Sequence, residues 1–112
     1  MNLFSNKSVG YTDVSPASVA ERRPGTRIID VREPDEYRGT LGHIAGAELV
    51  PLTTLASACM AWPRDAELMV VCRSGGRSAS AAATLVKLGF QRVHNMVGGM
   101  QRWVAEQRAI ER

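Results

Sequence analysis

The chain has 112 residues, 45% of them hydrophobic and 22% charged, which suits one soluble globular domain with one core and leaves little room for a second. Its net charge of +3 comes from scattered arginines, with no basic stripe and no interleaved aromatics, so nucleic acid is not an expected partner. No apolar run approaches the ~20 residues of a membrane span, the N-terminus lacks the layout of a secretory signal, and two cysteines are too few for a disulfide scaffold.

Strand and helix signals alternate along the chain, which predicts an α/β fold with a parallel sheet covered on both faces. A short strand over 10–14 leads into Ser15-Pro16, an N-cap and first-turn pair that opens a helix to about residue 22. Pro24-Gly25 breaks the chain. Residues 27–31 read as a second strand with Asp30 at its carboxyl end, and 34–38 as a short helix ended by Gly39. The segment 40–46 is a loop holding His43, followed by a third strand over 47–50 that Pro51 stops. Residues 52–60 read as a helix, Trp62-Pro63-Arg64-Asp65 as a turn, and 67–71 as a buried strand. A glycine-bearing turn then leads into a helix over 79–88, which Gly89 suits as a left-handed C-cap. A last strand covers 92–96, and Gly98-Gly99 turns into a final helix from 100 onward, with Trp103 and Val104 facing the core. The alternating signs of Arg102, Glu106, Arg108, Glu111 and Arg112 read as a solvated helix face.

The chemistry concentrates in Cys72-Arg73-Ser74-Gly75-Gly76-Arg77-Ser78, between the buried strand and the following helix. A cysteine there meets cationic side chains, free backbone N–H groups and the positive end of a helix dipole, all of which favour thiolate over thiol. Gly75 and Gly76 permit the positive φ values that a ring of inward-pointing amides requires. Such a ring stabilises a thiolate, and equally a persulfide whose outer sulfur carries the charge. Arg73 and Arg77 are placed to neutralise an oxyanion, and Ser74 and Ser78 to donate hydroxyls, Ser78 also as a cap for the helix. An exposed thiolate of this kind is expected to attack a sulfur centre and hold the transferred atom covalently. Ligands of open parallel sheets bind beyond the carboxyl ends of the strands, where Asp30, Arg32 and Cys72 are all expected to lie.

This loop, the run Ile28-Ile29-Asp30-Val31-Arg32-Glu33, the segment Gly42-His43-Ile44-Ala45-Gly46-Ala47 and the closing Gly98-Gly99 with Trp103 together resemble a single-domain rhodanese. The resemblance runs from about residue 12 to 103 and keeps the order and spacing of the family's motifs. It implies a central parallel five-stranded sheet flanked by helices on both faces, within one domain over 1–112 with a core at about 10–105 and an extension at 1–9. It also implies sulfane-sulfur transfer through a persulfide on Cys72, with 72–77 as the active-site loop. The partners so implied are a small anionic sulfur donor such as thiosulfate, with sulfite leaving, and cyanide or a thiol as acceptor. That thiol would be a low-molecular-weight thiol or a thioredoxin-like protein. No cofactor, metal, nucleic acid or membrane is called for, and a cytoplasmic monomer or weak dimer is expected. Asp30, Arg32 and His43 match family positions that support the loop, the acid by bracing it. Ala45 and Leu49 stand where many relatives have proline and asparagine, a departure of packing rather than chemistry.

The remaining candidates read more plainly. Arg32 either meets substrate or pairs with Glu36 across a helical turn. Glu33, Asp35 and Glu36 form a solvated helix start, His43 supports the fold more than the site, and His94 has no evident partner. Cys59, Trp62 and Trp103 read as core.

Two other functions fit parts of the pattern. A cysteine-dependent phosphatase or arsenate reductase places its arginine after five intervening residues, whereas here four separate Cys72 from Arg77 and Ser78 holds the phosphatase position. A silent partner-binding module is another alternative; silent modules lack the cysteine or have a degraded loop, and this chain has neither defect, whereas a sulfur relay passing persulfide to a specific protein would look the same from sequence.

Overall fold

The computed structural model describes residues 10–112, so the extension expected at 1–9 lies outside the described residues. Short runs without helical spacing make the strands β1 (Thr12–Val14), β2 (Arg27–Asp30), β3 (Glu48–Leu49), β4 (Glu67–Val71) and β5 (Arg92–Met96), of which the central β4 is the most apolar. They form one sheet in the order β1-β5-β4-β2-β3, and every pairing is parallel. Leu68 to Val71 of β4 are all buried, as a central strand covered on both faces requires.

Five helices cover the sheet: α1 (Pro16–Ala20), α2 (Pro34–Tyr37), α3 (Leu55–Ala58), α4 (Gly76–Lys87) and α5 (Gly99–Ala105). The period-2 alternation of the strands divides the core into two layers. Ile29, Leu68, Val70 and Val93 pack with Leu55, Cys59, Ala81, Ala82, Leu85 and Phe90. On the other face Ile28, Met69, Val71 and Met96 meet Val19, Met100 and Trp103. Helices thus lie on both faces, as the sequence predicts.

Local signals account for most element ends. Ser15 accepts the N–H of Ser18 at the start of α1, with Pro16 behind it. At the end of α4, Gly89 has φ +99°, its N–H reaches Val86 O, and the Phe90 N–H reaches Leu85 O, which together make a Schellman cap.

Three expectations are corrected. The helix expected over 52–60 is a single α turn between two 3₁₀ turns, Leu52–Thr54 and Cys59–Ala61. Pro51 precedes it and the β-branched pair Thr53-Thr54 weakens its start, so the segment is held chiefly by the burial of Leu55 and Cys59. The final helix stops at Ala105, because Gln107 takes φ +60° and the tail doubles back to pair Glu111 with His43. Arg102 and Arg108 both bind Glu106, and Arg112 donates to the carbonyls of Gly39 and Thr40, so the tail is not one solvated helical face. His94, lastly, has a partner: its Nε2 lies 2.9 Å from Glu67, which also takes Arg23.

Candidate functional site

Parallel pairing of Asp30 with Val71 sets the carboxyl ends of β2 and β4 side by side, so Asp30, Arg32 and Cys72 all lie at one edge of the sheet. Cys72 follows β4 directly, and the loop curls over its sulfur. Gly75 takes φ +110° as the N-cap of α4 and donates its N–H to Cys72 Sγ at 3.1 Å. Ser78 Oγ lies 3.3 Å from the sulfur. Burial pushes the thiol up, but the Ser78 hydroxyl and the N–H groups of Ser78, Gly75 and Ser74 outweigh it, and the net direction is downward.

Four expectations about the loop change. Cys72 is 1% exposed, so its sulfur is recessed and not exposed. Ser78 does not cap α4, which begins at Gly76; it is fully buried and turned to Cys72 and to Asn95 Oδ1. Hydrogen bonds, rather than the two flanking arginines, lower the thiol. Arg77 is bidentate to Glu36 at 2.8 Å on both nitrogens and so is not open to an incoming oxyanion. Arg73 is exposed and lines a groove of about 480 Å³ with Asp35, Glu36, Thr40 and Leu41.

The loop is held from behind as well. Met100 and Gln101 at the start of α5 donate their N–H groups to the carbonyls of Cys72 and Arg73 at 2.8 and 2.9 Å. Gly99 allows this approach: it has φ +56°, and a Cβ there would lie 2.6 Å from the carbonyl oxygen of Cys72.

Asp30 and Arg32 form a buried pair, 2.7 Å between Asp30 Oδ2 and an Arg32 nitrogen with both side chains 1% exposed. Arg32 also donates to the carbonyls of Glu36 and Gly42, so its partner in α2 is backbone and not the Glu36 carboxylate. It therefore ties β2, α2 and the turn before His43 into one block. His43 stacks on Tyr37 at 3.7 Å with its Nδ1 2.8 Å from Tyr37 O, and no described contact joins it to Cys72.

A family model described as a rhodanese-like domain matches residues 15–106. The chain belongs to that family. Over 94 residues it is 34% identical to thiosulfate sulfurtransferase GlpE of Pseudomonas aeruginosa, covering 83% of this chain and 84% of that protein. The protein of the same name from Pseudomonas fluorescens is 38% identical over 84 residues, 75% of each chain. A solved rhodanese-related protein from Thermoplasma volcanium shares the fold with a TM-score of 0.78 at 32% identity, covering 88% of this chain and 96% of that one. The chain is thus a rhodanese-type transferase, and its family is one of sulfurtransferases.

In this rhodanese the sequence reading missed Glu36. It passed for part of a solvated helix start, yet its carboxylate accepts from both Arg77 and the Glu33 N–H. Arg77 beside it lowers the Glu36 carboxyl from 4.5 to about 2. A depressed carboxylate contributes its stability above the unfolded value and loses it as pH falls towards the folded one. The Glu36→Gln variant should therefore melt below wild type near neutral pH. Thermal melts across the acid range should show that gap closing between about pH 5 and about pH 2. Asn95 was also missed; a polar residue between buried Val93 and Met96 in a strand was the available signal.

No helix among the described residues is long and apolar enough to cross a membrane.

Proposed function

We propose that this protein moves a sulfane sulfur through a persulfide on Cys72 in two half-reactions. The observation that carries this reading is the set of hydrogen bonds converging on one recessed sulfur, led by the Gly75 N–H at 3.1 Å. A cradle of amides holds a negative sulfur without a counter-ion, whether the charge sits on Sγ or on a sulfur bonded to it. In the first half-reaction the Cys72 thiolate attacks the outer sulfur of thiosulfate; an S–S bond forms, the donor's S–S bond breaks, and sulfite leaves with the electron pair. In the second, cyanide or a thiolate attacks the outer persulfide sulfur and Cys72 departs as thiolate. Charge balances in each step, and no oxidant or cofactor is required. The exposed Arg73 beside the groove suits an anionic donor. For the acceptor we favour a low-molecular-weight thiol or a thioredoxin-like protein in a reducing cytoplasm.

Phosphatase chemistry is disfavoured by spacing and by geometry, since Arg77 follows after four residues and is engaged by Glu36. The test is the intact mass of the protein after incubation with thiosulfate. A gain of one sulfur atom, ~32 Da, on Cys72 is expected, discharged by cyanide. An unchanged mass with thiosulfate and with polysulfide would overturn the reading.

A further inference from the structure

Ser78, Asn95 and Asp13 join Cys72 in a chain of hydrogen bonds that crosses three elements. Cys72 Sγ lies 3.3 Å from Ser78 Oγ, Ser78 Oγ lies 2.5 Å from Asn95 Oδ1, and Asn95 Nδ2 lies 3.1 Å from Asp13 Oδ1. Ser78 is fully buried and Asn95 nearly so, whereas Asp13 is exposed on the edge strand β1. The carboxylate fixes the orientation of the Asn95 amide, because only its nitrogen donates to Asp13, and so its oxygen must face Ser78. A hydroxyl carries one proton. Three acceptors surround that proton: Asn95 Oδ1, the Gly75 carbonyl at 3.2 Å, and the sulfur. Asn95 offers the shortest of the three.

We infer that Asn95, held by Asp13, is a positioning residue that competes with the Cys72 sulfur for the single proton of Ser78. With Cys72 as thiol, the S–H donates to Ser78 Oγ and the hydroxyl donates to Asn95. When Cys72 ionises, the hydroxyl turns to the thiolate and Asn95 Oδ1 loses its donor. That loss makes the thiolate less stabilised, and therefore more reactive, than the amide cradle alone would leave it. When Cys72 takes up a sulfur atom the charge moves to the outer sulfur and Sγ becomes a neutral, weak acceptor. The hydroxyl then returns to Asn95. The competition therefore favours the loaded state over the free thiolate, which is the bias a sulfur carrier needs.

This inference rests on the persulfide reading only for the purpose of the bias. The proton competition concerns the free thiol and is measured without any sulfur donor. The charged groups around Cys72 are the exposed Arg73 beside it in the loop, Arg77 on α4, paired with Glu36 of α2, Asp30 on β2, paired with Arg32, and Asp13 on β1. β4 and α5 add no ionised side chain beside the sulfur in the described contacts.

The test is the pH profile of iodoacetamide alkylation of Cys72 in the full chain, with Cys59 replaced by alanine in every variant to leave one thiol. Ser78→Ala should move the midpoint upward and lower the rate near neutral pH by roughly tenfold, since a donor to the thiolate is lost. Asn95→Leu should do the opposite at low pH, shifting the midpoint down and raising the rate roughly threefold. Above the midpoint it should fall below the parent, because a more stabilised thiolate is a weaker nucleophile. Crossing profiles are a signature that general loosening of the fold does not produce. Asp13→Ala, on the exposed edge strand, should give a smaller shift in the same direction as Asn95→Leu and guards against a misfolded core variant. In a Ser78→Ala background both second substitutions should lose their effect. An Asn95→Leu midpoint that stays or rises, or a shift that persists without the Ser78 hydroxyl, overturns the inference. A normal mass gain with thiosulfate alongside that failure would leave the persulfide reading intact, and the converse pair of results would separate them equally.

Discussion

Cys72→Ser is expected to reduce sulfur transfer from thiosulfate to cyanide to the uncatalysed level, a loss of at least about 10³-fold. The substituted hydroxyl is close in size to the thiol and still accepts the Gly75 N–H, so the cradle keeps its shape. What it lacks is ionisation at neutral pH, and only the ionised atom attacks sulfur. The fold should be almost indifferent, because the loop is held by bonds that do not pass through Sγ: the α5 amides on its carbonyls and the Arg77–Glu36 pair. Thiocyanate formation and a thermal melt on the same sample check both halves. Retained turnover with a normal melt would remove Cys72 from the mechanism.

Asp30→Asn is expected to be the most damaging single change to stability. Arg32 is the largest fully buried side chain in the described residues, and Asp30 is its only anionic partner. A guanidinium keeps its charge at any pH at which the protein is studied, so removing the carboxylate leaves an uncompensated charge in the core. Breaking a buried pair in this way costs about 3–5 kcal/mol, which is much of the stability of a small domain. Glu36→Gln offers the comparison. The side chains of the Arg77–Glu36 pair are 38% and 25% exposed, and a charge left there meets water, so its loss should cost about 1 kcal/mol or less. Urea unfolding of both variants near neutral pH measures the difference. Equal losses would mean that the Asp30–Arg32 pair does not brace the site.

Much of the fold was legible because it rests on short-range signals. The apolar runs at 27–31 and 67–71, the Ser15-Pro16 start and the Gly89 stop each declare themselves within a few residues. The loop was legible for the same reason, since its cysteine, glycines and arginines are consecutive. What escaped depends on contacts between distant positions. Glu36 meets Arg77 across 41 residues, Asn95 meets Ser78 across 17, and Asp13 meets Asn95 across 82. Nothing local in Pro34-Asp35-Glu36 distinguishes a solvated carboxylate from one that anchors the arginine of the Cys72 loop. The recess of Cys72 was hidden for a related reason: a run of small and polar residues looks exposed until the backbone curls inward over the sulfur. The Ser78 cap failed because the helix starts earlier, at Gly76, with Gly75 at the N-cap position and no side chain capping it.

The two N–H groups that α5 lends to the carbonyls of Cys72 and Arg73 carry a consequence for how portable this chemistry is. By fastening those carbonyls on the outside, α5 turns the peptide planes so that the later amides face the sulfur. The six-residue loop is one half of a mould whose other half is Gly99 and the residues after it, far along the chain. Grafting the loop alone onto another strand–helix junction would transplant a cysteine and its glycines without the acidity that makes them useful.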